Sequence, residues 1–349
     1  MPNAGDRLLV RVVVVHPGPS FSVADVLTGW VRALRKLGCA VAEFNLDARL
    51  NFFAAAHMRN DDGSFLKAIP DEAVRDFAID GVYGELFKGW PDVVLTVSGF
   101  YVPPKTSDLI RARGMRSVVL FTESPYEDDR QLERAEAYDL VLLNDPTHLD
   151  RFREVNPNSY YQWHCYDSDR HYPALARPEC RSDFAFVGTG YPSRVEFFEK
   201  VDWDGIDATF AGHWQSLDDD SPLRPLLAHP IGACCDNDET VELYRGTKVS
   251  ANLYRKEADA GTHDGWSMGP REVELAACET FFAREARPEG DEMFPTLPIF
   301  SEPGELGDLI RYYLDRDTER QDAARSARAA VSERTFEASA SRLLRLLDT

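Results

Sequence analysis

The amino-acid sequence predicts an α/β protein built from two doubly wound, Rossmann-like domains. Short apolar segments rich in β-branched residues alternate with segments of helical periodicity, which is the pattern of a parallel sheet covered by helices. This alternation begins at Leu8 and begins again at Asp183. The length of 349 residues also exceeds that of one typical domain. Two domains are therefore expected, with function at the carboxyl ends of their strands.

The first predicted domain opens with a continuous apolar run. Residues 8–15 are mostly valine and leucine, which is typical of a strand buried on both faces, and a turn at residues 16–20 follows. Helical periodicity from residue 23 to residue 37 ends at Gly38. The remaining elements predicted for this half are strands at residues 39–46, 92–97, 117–122 and 139–144, and helices at residues 71–88 and 106–113.

A second series of strands and helices follows residues 157–180, which lack clear periodicity and predict a crossing between domains. The predicted strands of this series are residues 183–187, 206–211, 248–255, 280–282 and 298–300. The predicted helices are residues 195–200, 241–245 and 269–279, with a final helical region at residues 303–347. Polar loops are predicted at residues 256–268 and 284–295.

The composition argues against several classes of function. A formal net charge of -20 makes nucleic acid an improbable partner, because the phosphate backbone is bound through basic surfaces. The chain has no run of 18 apolar residues and does not open with a basic and then apolar signal pattern, so we expect neither a membrane span nor export. The six cysteines are scattered without C-x-x-C spacing, which is typical of reduced thiols in the cytoplasm.

The segment G-P-R-E-V-E-L-A-A-C-E at residues 269–279 is a candidate anion-binding helix. Arg271 and Glu274 are three residues apart, so a helix places both on one face. Pro270 suits the first helical position, and backbone N–H groups at a helix start can hold an anionic ligand. The alternative is an ordinary amphipathic helix with a surface ion pair.

A glycine-rich turn connects the strand at residues 183–187 to the next helix. Glycine lets a phosphate group approach the backbone, and the helix start supplies N–H donors. Such a turn also needs glycine for its backbone geometry alone, so both interpretations stay open. The residues predicted to bind a diphosphate, in this turn and near other strand ends and helix starts, are Gly188, Thr189, Gly190, Tyr191, Arg194, Lys248, Arg255 and Arg271.

Three side chains near strand ends of the first domain are candidates for a catalytic base. Glu123 ends an apolar strand, where partial burial would favour a proton-accepting role. Asp128 lies in the loop after that strand, and His16 follows the first strand. Alternatively, Glu123 and Asp128 charge a helix start and His16 is structural. The histidines and aspartates of residues 164–171 lack metal-ligand spacing, so we expect no metal site.

Several short motifs stand together in the second half of the chain. They are F-V-G-T-G-Y at residues 186–191 with Arg194, Y-R-G-T-K at 244–248 with N-L at 252–253, R-x-x-E-x-x-A at 271–277, and D-E-M-F at 291–294 before the helix at 302–314. These motifs resemble the C-terminal half of the group 1 glycosyltransferases of the CgeB spore-maturation type. Residues 164–173 resemble the interdomain segment of that family, and the resemblance covers most of residues 160–349.

This resemblance implies a GT-B architecture, in which two Rossmann-like domains face each other across a cleft. It implies an N-terminal acceptor domain at residues 1–165 and a nucleotide-sugar donor domain at residues 166–330. A C-terminal helix at residues 331–349 would cross back to the first domain.

The resemblance also implies roles for individual residues. Glu274 matches the glutamate that binds the nucleotide ribose, and residues 188–194 match the turn that meets the diphosphate. Glu279 stands where the family has glycine, and Trp266 stands where the first glutamate of an E-x7-E pattern falls. A retaining mechanism therefore does not follow from the motif.

We therefore expect a metal-independent glycosyltransferase that moves a sugar, with a hexose favoured, from a nucleoside diphosphate to a hydroxyl-bearing acceptor. The donor substrate replaces any separate cofactor. If the reaction inverts, the base is Glu123, Asp128 or His16. The alternatives are a non-catalytic nucleotide-sugar or glycan-binding protein and a dehydrogenase, although the first turn lacks G-x-G-x-x-G. The sugar, the nucleotide, the acceptor and the oligomeric state stay open.

Overall fold

The computed structural model describes residues 9–18, 23–55, 57–59, 62–68, 70–257 and 264–348. The chain divides into two compact units. Unit 1 comprises Met1–Gln162 and Glu337–Thr349, and unit 2 comprises Trp163–Phe336. The sequence-based boundaries were residues 165 and 330, which differ from these divisions by three and six residues.

The elements follow in chain order, beginning with those of residues 1–162 in unit 1. They are β1 (Arg11–Val15), α1 (Ala24–Lys36), β2 (Ala40–Phe44), α2 (Leu46–Ala55), β3 (His57–Arg59), β4 (Phe65–Ala68), α3 (Asp71–Gly89), β5 (Val93–Val97), α4 (Pro104–Ala112), β6 (Arg116–Phe121), α5 (Asp128–Ala135), β7 (Leu140–Leu143), α6 (Leu149–Val155) and β8 (Ser159–Tyr161). Unit 2 and the C-terminal segment that follows it contain β9 (Ser182–Val187), α7 (Pro192–Phe198), β10 (Ala208–Ala211), α8 (Asn237–Gly246), β11 (Thr247–Asn252), α9 (Pro270–Ala277), β12 (Phe282–Arg284), α10 (Pro288–Met293), α11 (Pro303–Leu314), α12 (Asp317–Ala330) and α13 (Phe336–Leu347).

Unit 1 is built on a parallel sheet with the strand order β2-β1-β5-β6-β7-β8. Its β1 strand carries four successive buried valines, Val12 to Val15, as expected for a strand covered on both faces. The strand order reverses between β1 and β5. In sheets of this kind, ligands bind outside the carboxyl ends of the strands.

Unit 2 contains a parallel sheet with the strand order β10-β9-β11-β12. Aromatic side chains fill the core on this sheet, and the ring centroids of Phe186 and Phe198 lie 4.7 Å apart. Phe210 and Trp214 pack edge to face against the same cluster, with centroids 5.3 Å apart. Close packing of large rings stabilises the unit and holds the turns that follow β9 and β10.

The predicted helical region at residues 303–347 is three helices, α11, α12 and α13. The segment before α13 pairs with unit 2, because Tyr166 N donates to Arg334 O at 3.0 Å and Phe336 N donates to Tyr166 O at 3.2 Å. Within unit 1, Gln162 Nε2 donates to Ser339 Oγ at 2.7 Å. The chain thus returns to unit 1 through α13.

Several predicted elements need correction. The predicted loop at residues 284–295 contains α10, which begins at Pro288, and residues 298–300 contribute an isolated bridge from Ile299 to Arg284 instead of a strand. The sequence also failed to indicate α2, the β3–β4 hairpin, α5, α6 and β8. In the part of the chain that the structure describes, no helix is both long and apolar enough to cross a membrane.

Candidate functional site

The carboxyl ends of β9 and β10 meet through two glycine-containing turns. A Cβ on Gly212, whose φ is 106°, would overlap the carbonyl oxygen of Gly188, and a Cβ on Gly190 would overlap the indole ring of Trp214. Gly190 N donates to His213 O at 2.8 Å, which ties the two turns together. Packing therefore requires these glycines, so the turn needs glycine for geometry as well as for any ligand.

Arg271 lies over the turn that follows β9. Its Nε donates to Val187 O at 2.7 Å, and its Nη1 donates to Asn252 Oδ1 at 2.7 Å. A Cβ at position 188 would overlap Nη2 of Arg271, so Gly188 leaves room for the guanidinium group. The carbon of that group also lies 4.3 Å from the ring centroid of Phe186. Arg271 is thereby fixed where β9 and β11 end.

Three buried polar atoms near this edge of the sheet have no hydrogen-bond partner in the described part of the chain, namely Asn252 Nδ2, Glu272 Oε1 and Arg284 Nε. Asn252 is 2% exposed and stands at the end of β11. Leaving a buried donor or acceptor unpaired costs about 1–3 kcal/mol. A polar ligand at this edge would satisfy at least the Asn252 amide, whose carbonyl oxygen already holds Arg271.

Glu272 accepts hydrogen bonds at the start of α9. Its Oε2 accepts hydrogen bonds from Gly269 N at 2.6 Å and from Tyr254 OH at 2.5 Å. Burial raises the pKa of Glu272 to about 7, against the opposing effect of those hydrogen bonds and of the nearby Arg284 and Arg271. The sequence analysis considered Arg271 and Glu274 on this helix and missed Glu272, which is fully buried.

The buried Arg194 side chain donates hydrogen bonds to the glycine-rich turn and to the residue after β11. Its Nε donates to Leu253 O at 3.0 Å and its Nη1 donates to Thr189 O at 3.0 Å, so it links the turn to the end of β11. The first turn of α7 is occupied by a carboxylate, because Ser193 N and Oγ donate to Glu257 at 3.0 Å and 3.1 Å. The helix start that the sequence assigned to the diphosphate therefore already holds an acidic side chain.

The two other predicted cations lie in different places. Lys248 is the second residue of β11, at the amino end of the strand, and its Nζ lies 2.7 Å from Asp183 Oδ1. It is thus at the wrong edge of the sheet for a site at the strand ends, which corrects the prediction. Arg255 follows β11 on the expected side, and its guanidinium carbon lies 6.0 Å from the ring centroid of Tyr191.

Glu274 lies in the middle of α9 and faces α8. Tyr244 OH, fully buried, donates to Glu274 Oε2 at 3.4 Å. Glu279, beyond the end of the same helix, has φ 60°, the left-handed conformation that glycine favours. The glycine that the resemblance leads one to expect there therefore has a backbone reason, and this chain places a glutamate bonded to Arg328 in the same conformation.

In unit 1, His16 follows β1 at the point where the strand order reverses. Gly18 N donates to His16 Nδ1 at 3.4 Å, and burial lowers the pKa of His16. Gly18 has φ 90° and packs against the Tyr101 ring. Residues 19 and 20 of the predicted turn lie outside the described residues.

Glu123 and Asp128 both follow β6, but their surroundings differ. Glu123 is half-buried, and its backbone N donates to Gln131 Oε1 at 3.4 Å. Asp128 is only 1% exposed and begins α5. Its carboxylate contacts Gln131 Nε2 at 3.0 Å and His148 Nδ1 at 2.7 Å. Asp128 is therefore a buried partner of a histidine, which the sequence analysis did not consider.

In the crossing segment, His171 and Asp167 bond to each other. His171 Nδ1 accepts a hydrogen bond from Asp167 N at 3.2 Å, and burial lowers the pKa of His171 to about 4. Within the described ranges, no group of three or more His, Cys, Asp or Glu residues is placed to hold a metal ion. All six cysteines lie in the described part of the chain, and none of them forms a disulfide bond there.

Residues 183–345 match the family described as glycosyl transferase-like. The matched segment begins in β9 and therefore contains the turn at Gly188, α9 and Arg271. No curated protein sequence gives a significant match. The match confirms the predicted glycosyltransferase function at the level of the family.

Solved structures of similar fold extend over nearly the whole chain. Sucrose-phosphate synthase from Thermosynechococcus elongatus has 11% identity and a TM-score of 0.66, with 97% of this chain and 98% of that chain covered. HepE from Anabaena in complex with UDP-glucose has 10% identity and a TM-score of 0.61, with coverage of 96% and 99%. The trehalose-6-phosphate synthase OtsA has 11% identity and a TM-score of 0.63, with coverage of 97% and 99%.

At these identities the likeness establishes the fold, which agrees with the parallel sheets of the two units. The predicted GT-B fold class is thereby confirmed. Residues 183–345 thus match the glycosyl transferase-like family, and the chain has a GT-B fold.

Proposed function

We propose that this protein transfers a hexose from a nucleoside-diphosphate sugar to a hydroxyl-bearing acceptor and that unit 2 binds the donor. The observation that carries this proposal is the fixed position of Arg271. Two hydrogen bonds hold its guanidinium group at the ends of β9 and β11. Its Nη2 group lies over Gly188, where a phosphate oxygen can approach.

The leaving diphosphate gains negative charge as the bond to the sugar breaks. A guanidinium group binds phosphate oxygens in a planar, two-pronged geometry. Arg271 is already immobilised by Val187 and Asn252, so it need not reorganise during the reaction, and this is the property that makes electrostatic stabilisation effective. Arg255, beside Tyr191, adds a second positive charge near the same turn.

The remaining contacts with the nucleotide-sugar donor are assigned to other residues of unit 2. The unpaired Nδ2 of Asn252 is a buried donor for an oxygen of the donor substrate. We assign Glu274 to the ribose hydroxyls, since a carboxylate can accept hydrogen bonds from two of them. The turn from Gly188 to Tyr191 supplies backbone to the diphosphate, whereas Arg194 maintains the shape of the turn and Lys248 has no part in the site.

Two finer assignments belong to the same proposal. The arginines substitute for a divalent ion, so the reaction needs no bound metal and no cofactor beyond the donor. The motifs that resemble the CgeB type support membership of that group. The HepE structure of similar fold contains UDP-glucose, which supports a UDP-sugar as the first donor to test. A cytoplasmic location stays a prediction from the pattern of cysteines.

A ligand panel tests the proposal. Thermal unfolding of the wild-type protein is measured with UDP, GDP, ADP, UDP-glucose and GDP-mannose, since a ligand at about 100 times its dissociation constant stabilises by about 2.7 kcal/mol. We expect one nucleotide class to stabilise the protein and Arg271→Lys to weaken that binding at least about tenfold. Arg325→Ala, a surface change on α12, is the matched control. Failure of every nucleotide to shift unfolding would overturn the proposal.

A further inference from the structure

Two backbone N–H groups just before α9 are occupied by carboxylates of the chain itself. Met268 N donates to Glu289 Oε2 at 3.0 Å, and Gly269 N donates to Glu272 Oε2 at 2.6 Å. Pro270, the first residue of α9, has no N–H group. Backbone donors at a helix start often hold a polar ligand. Here the donors at residues 268 and 269 already have partners, so side chains must supply contacts with a ligand in their place.

Asn252 and Glu285 are neighbours at the carboxyl edge of the unit 2 sheet. Asn252 ends β11 and is paired in register with Arg284, the last residue of β12. Glu285 is the next residue, and its backbone N donates to Asn252 O at 3.1 Å. The ends of these two parallel strands thus bring an amide and a carboxylate to the edge where ligands bind in such sheets.

The two side chains offer a hydrogen-bond donor and an acceptor. Asn252 Oδ1 accepts from Arg271 Nη1 at 2.7 Å, and a guanidinium group can only donate, so the other end of the amide is the donor Nδ2. This Nδ2 is buried and has no partner in the described part of the chain. Glu285 Oε2 accepts from Tyr254 N at 2.6 Å. A carboxylate can accept about four hydrogen bonds, so Glu285 retains the capacity to accept one from a ligand.

The hydrogen bonds of Arg271 relate this edge to the proposed donor site. Arg271 Nη1 is bonded to Asn252 on β11. Glu274, assigned to the ribose, contacts Tyr244 on α8. In a nucleoside-diphosphate sugar, the diphosphate separates the ribose from the transferred sugar. With the ribose at Glu274 and the diphosphate at Arg271, the transferred sugar lies toward the ends of β11 and β12.

We propose that Glu285, together with Asn252, recognises hydroxyl groups of the transferred sugar; this rests on the sugar transfer proposed above. A sugar hydroxyl donates to the Glu285 carboxylate, and a sugar oxygen accepts from Asn252 Nδ2. A hydroxyl group can both donate and accept, whereas a deoxy position can do neither. The substrate class is therefore a hexose with a free hydroxyl group at the contacted position.

This recognition does not depend on the charge of Glu285. Burial raises the pKa of Glu285, and the hydrogen bond from Tyr254 N and three nearby cations oppose that effect. The cations are Lys256, Arg194 and Arg287. Both protonation states keep lone pairs that can accept a hydrogen bond from a hydroxyl group. The sequence analysis placed Glu285 in a predicted polar loop and gave it no role.

The first experiment separates the sugar from the nucleotide. Calorimetry measures the affinity for UDP and UDP-glucose, or for GDP and GDP-mannose, or for ADP and ADP-glucose, whichever class stabilises the wild type. Glu285→Gln keeps an oxygen for Tyr254 N and replaces the other oxygen with a donor. We expect this variant to bind the nucleotide sugar at least about tenfold more weakly and the nucleotide alone as tightly as the wild type does. Arg271→Lys should weaken binding of both.

The second experiment pairs the side chain with individual sugar hydroxyls. Analogues of the same nucleotide sugar that lack the hydroxyl at C2, C3, C4 or C6 are titrated into the wild type and Glu285→Gln. In the wild type, at least one analogue should bind about tenfold more weakly than the parent, because polar groups of the site lose their partner. In Glu285→Gln, the same analogue should show a much smaller loss, which identifies a direct contact.

The controls separate this proposal from the proposed function. Glu292→Gln, an exposed change on α10, should leave both affinities unchanged, and thermal midpoints check that each variant is folded. The wild-type arm needs no variant, so it holds even if Glu285→Gln is unstable. Equal affinity of the wild type for all analogues, or equal losses in both proteins, would overturn the role of Glu285 and leave the nucleotide site standing. A wild-type protein that binds no nucleotide would overturn the proposed function instead.

Discussion

Gly188 and Arg271 fit together because residue 188 has no side chain. A Cβ there would overlap Nη2 of Arg271. The guanidinium group is the flexible end of its side chain, so Gly188→Ala should displace it and break its bonds to Val187 O and Asn252. We expect nucleotide binding to weaken by about 1–3 kcal/mol.

Gly212→Ala is the matched comparison for that variant. Its Cβ would meet the rigid backbone of Gly188 with φ at 106°, so we expect the protein itself to be destabilised by about 1–3 kcal/mol. Calorimetric titration and thermal denaturation of both variants measure the two effects. Wild-type nucleotide affinity in Gly188→Ala would contradict the assigned position of Arg271.

Glu272 should make stability depend on pH. Burial raises its pKa from 4.5 to about 7, so the folded state holds a proton that the unfolded state releases at lower pH. The contribution of Glu272 is fully present below about pH 4.5 and is lost as the pH rises through about 7. Tyr254, Arg284 and Arg271 are the titratable and charged groups that face it.

The loss expected from this shift is about 3 kcal/mol. Urea unfolding at about pH 5 and about pH 8 measures it for the wild type and for Glu272→Gln, which cannot ionise. We expect the variant to lose less free energy of unfolding than the wild type over this interval. Equal losses would show that Glu272 does not titrate in this range.

Glu274→Gln should weaken UDP or GDP binding by about 1–3 kcal/mol, because a charged acceptor for the ribose hydroxyls is lost. Tyr244→Phe removes the hydroxyl that donates to Glu274 Oε2, so it should have a smaller effect in the same direction. Calorimetry with the nucleotide identified by thermal unfolding provides both values. Unchanged affinity in Glu274→Gln would remove Glu274 from the donor site.

Turnover should persist after chelation. The charge on the leaving diphosphate is assigned to Arg271 and Arg255, so no divalent ion is required in the step that breaks the sugar–phosphate bond. Nucleotide release from the donor is measured before and after treatment with EDTA. Abolished turnover that magnesium restores would contradict the assignment.

The sequence predicted the strands that are long and apolar. The valines of β1 and the apolar runs of β6 and β9 have too few polar positions to lie anywhere but in a covered sheet, so local composition was enough. It did not predict α5, whose eight residues are mostly charged, or β8, which has three residues. Segments this short or this polar have no periodicity of their own, and the elements packed against them decide their conformation.

For the candidate site, too, the sequence located some residues and not others. Sequence alone located Gly188 in a turn after a strand and located Arg271 and Glu274 in a helix, because a turn after a strand and a helix start can be recognised locally. It misplaced Lys248, since only the structure shows which end of β11 that residue occupies. It did not predict the contact of Asp128 with His148, because the two residues are distant in sequence and meet only through the pairing of β6 with β7.

What the sequence by itself determined is the identity of the elements that have a clear apolar pattern, since apolar runs, glycines and helix starts act over a few neighbouring residues. The tertiary structure alone decided which side chains share an edge of a sheet and which of the arginines is held in place. Those properties depend on contacts between residues far apart in the chain. Arg271 bonds Val187 and Asn252, and His148 bonds Asp128, because parallel pairing brings the ends of separate strands together.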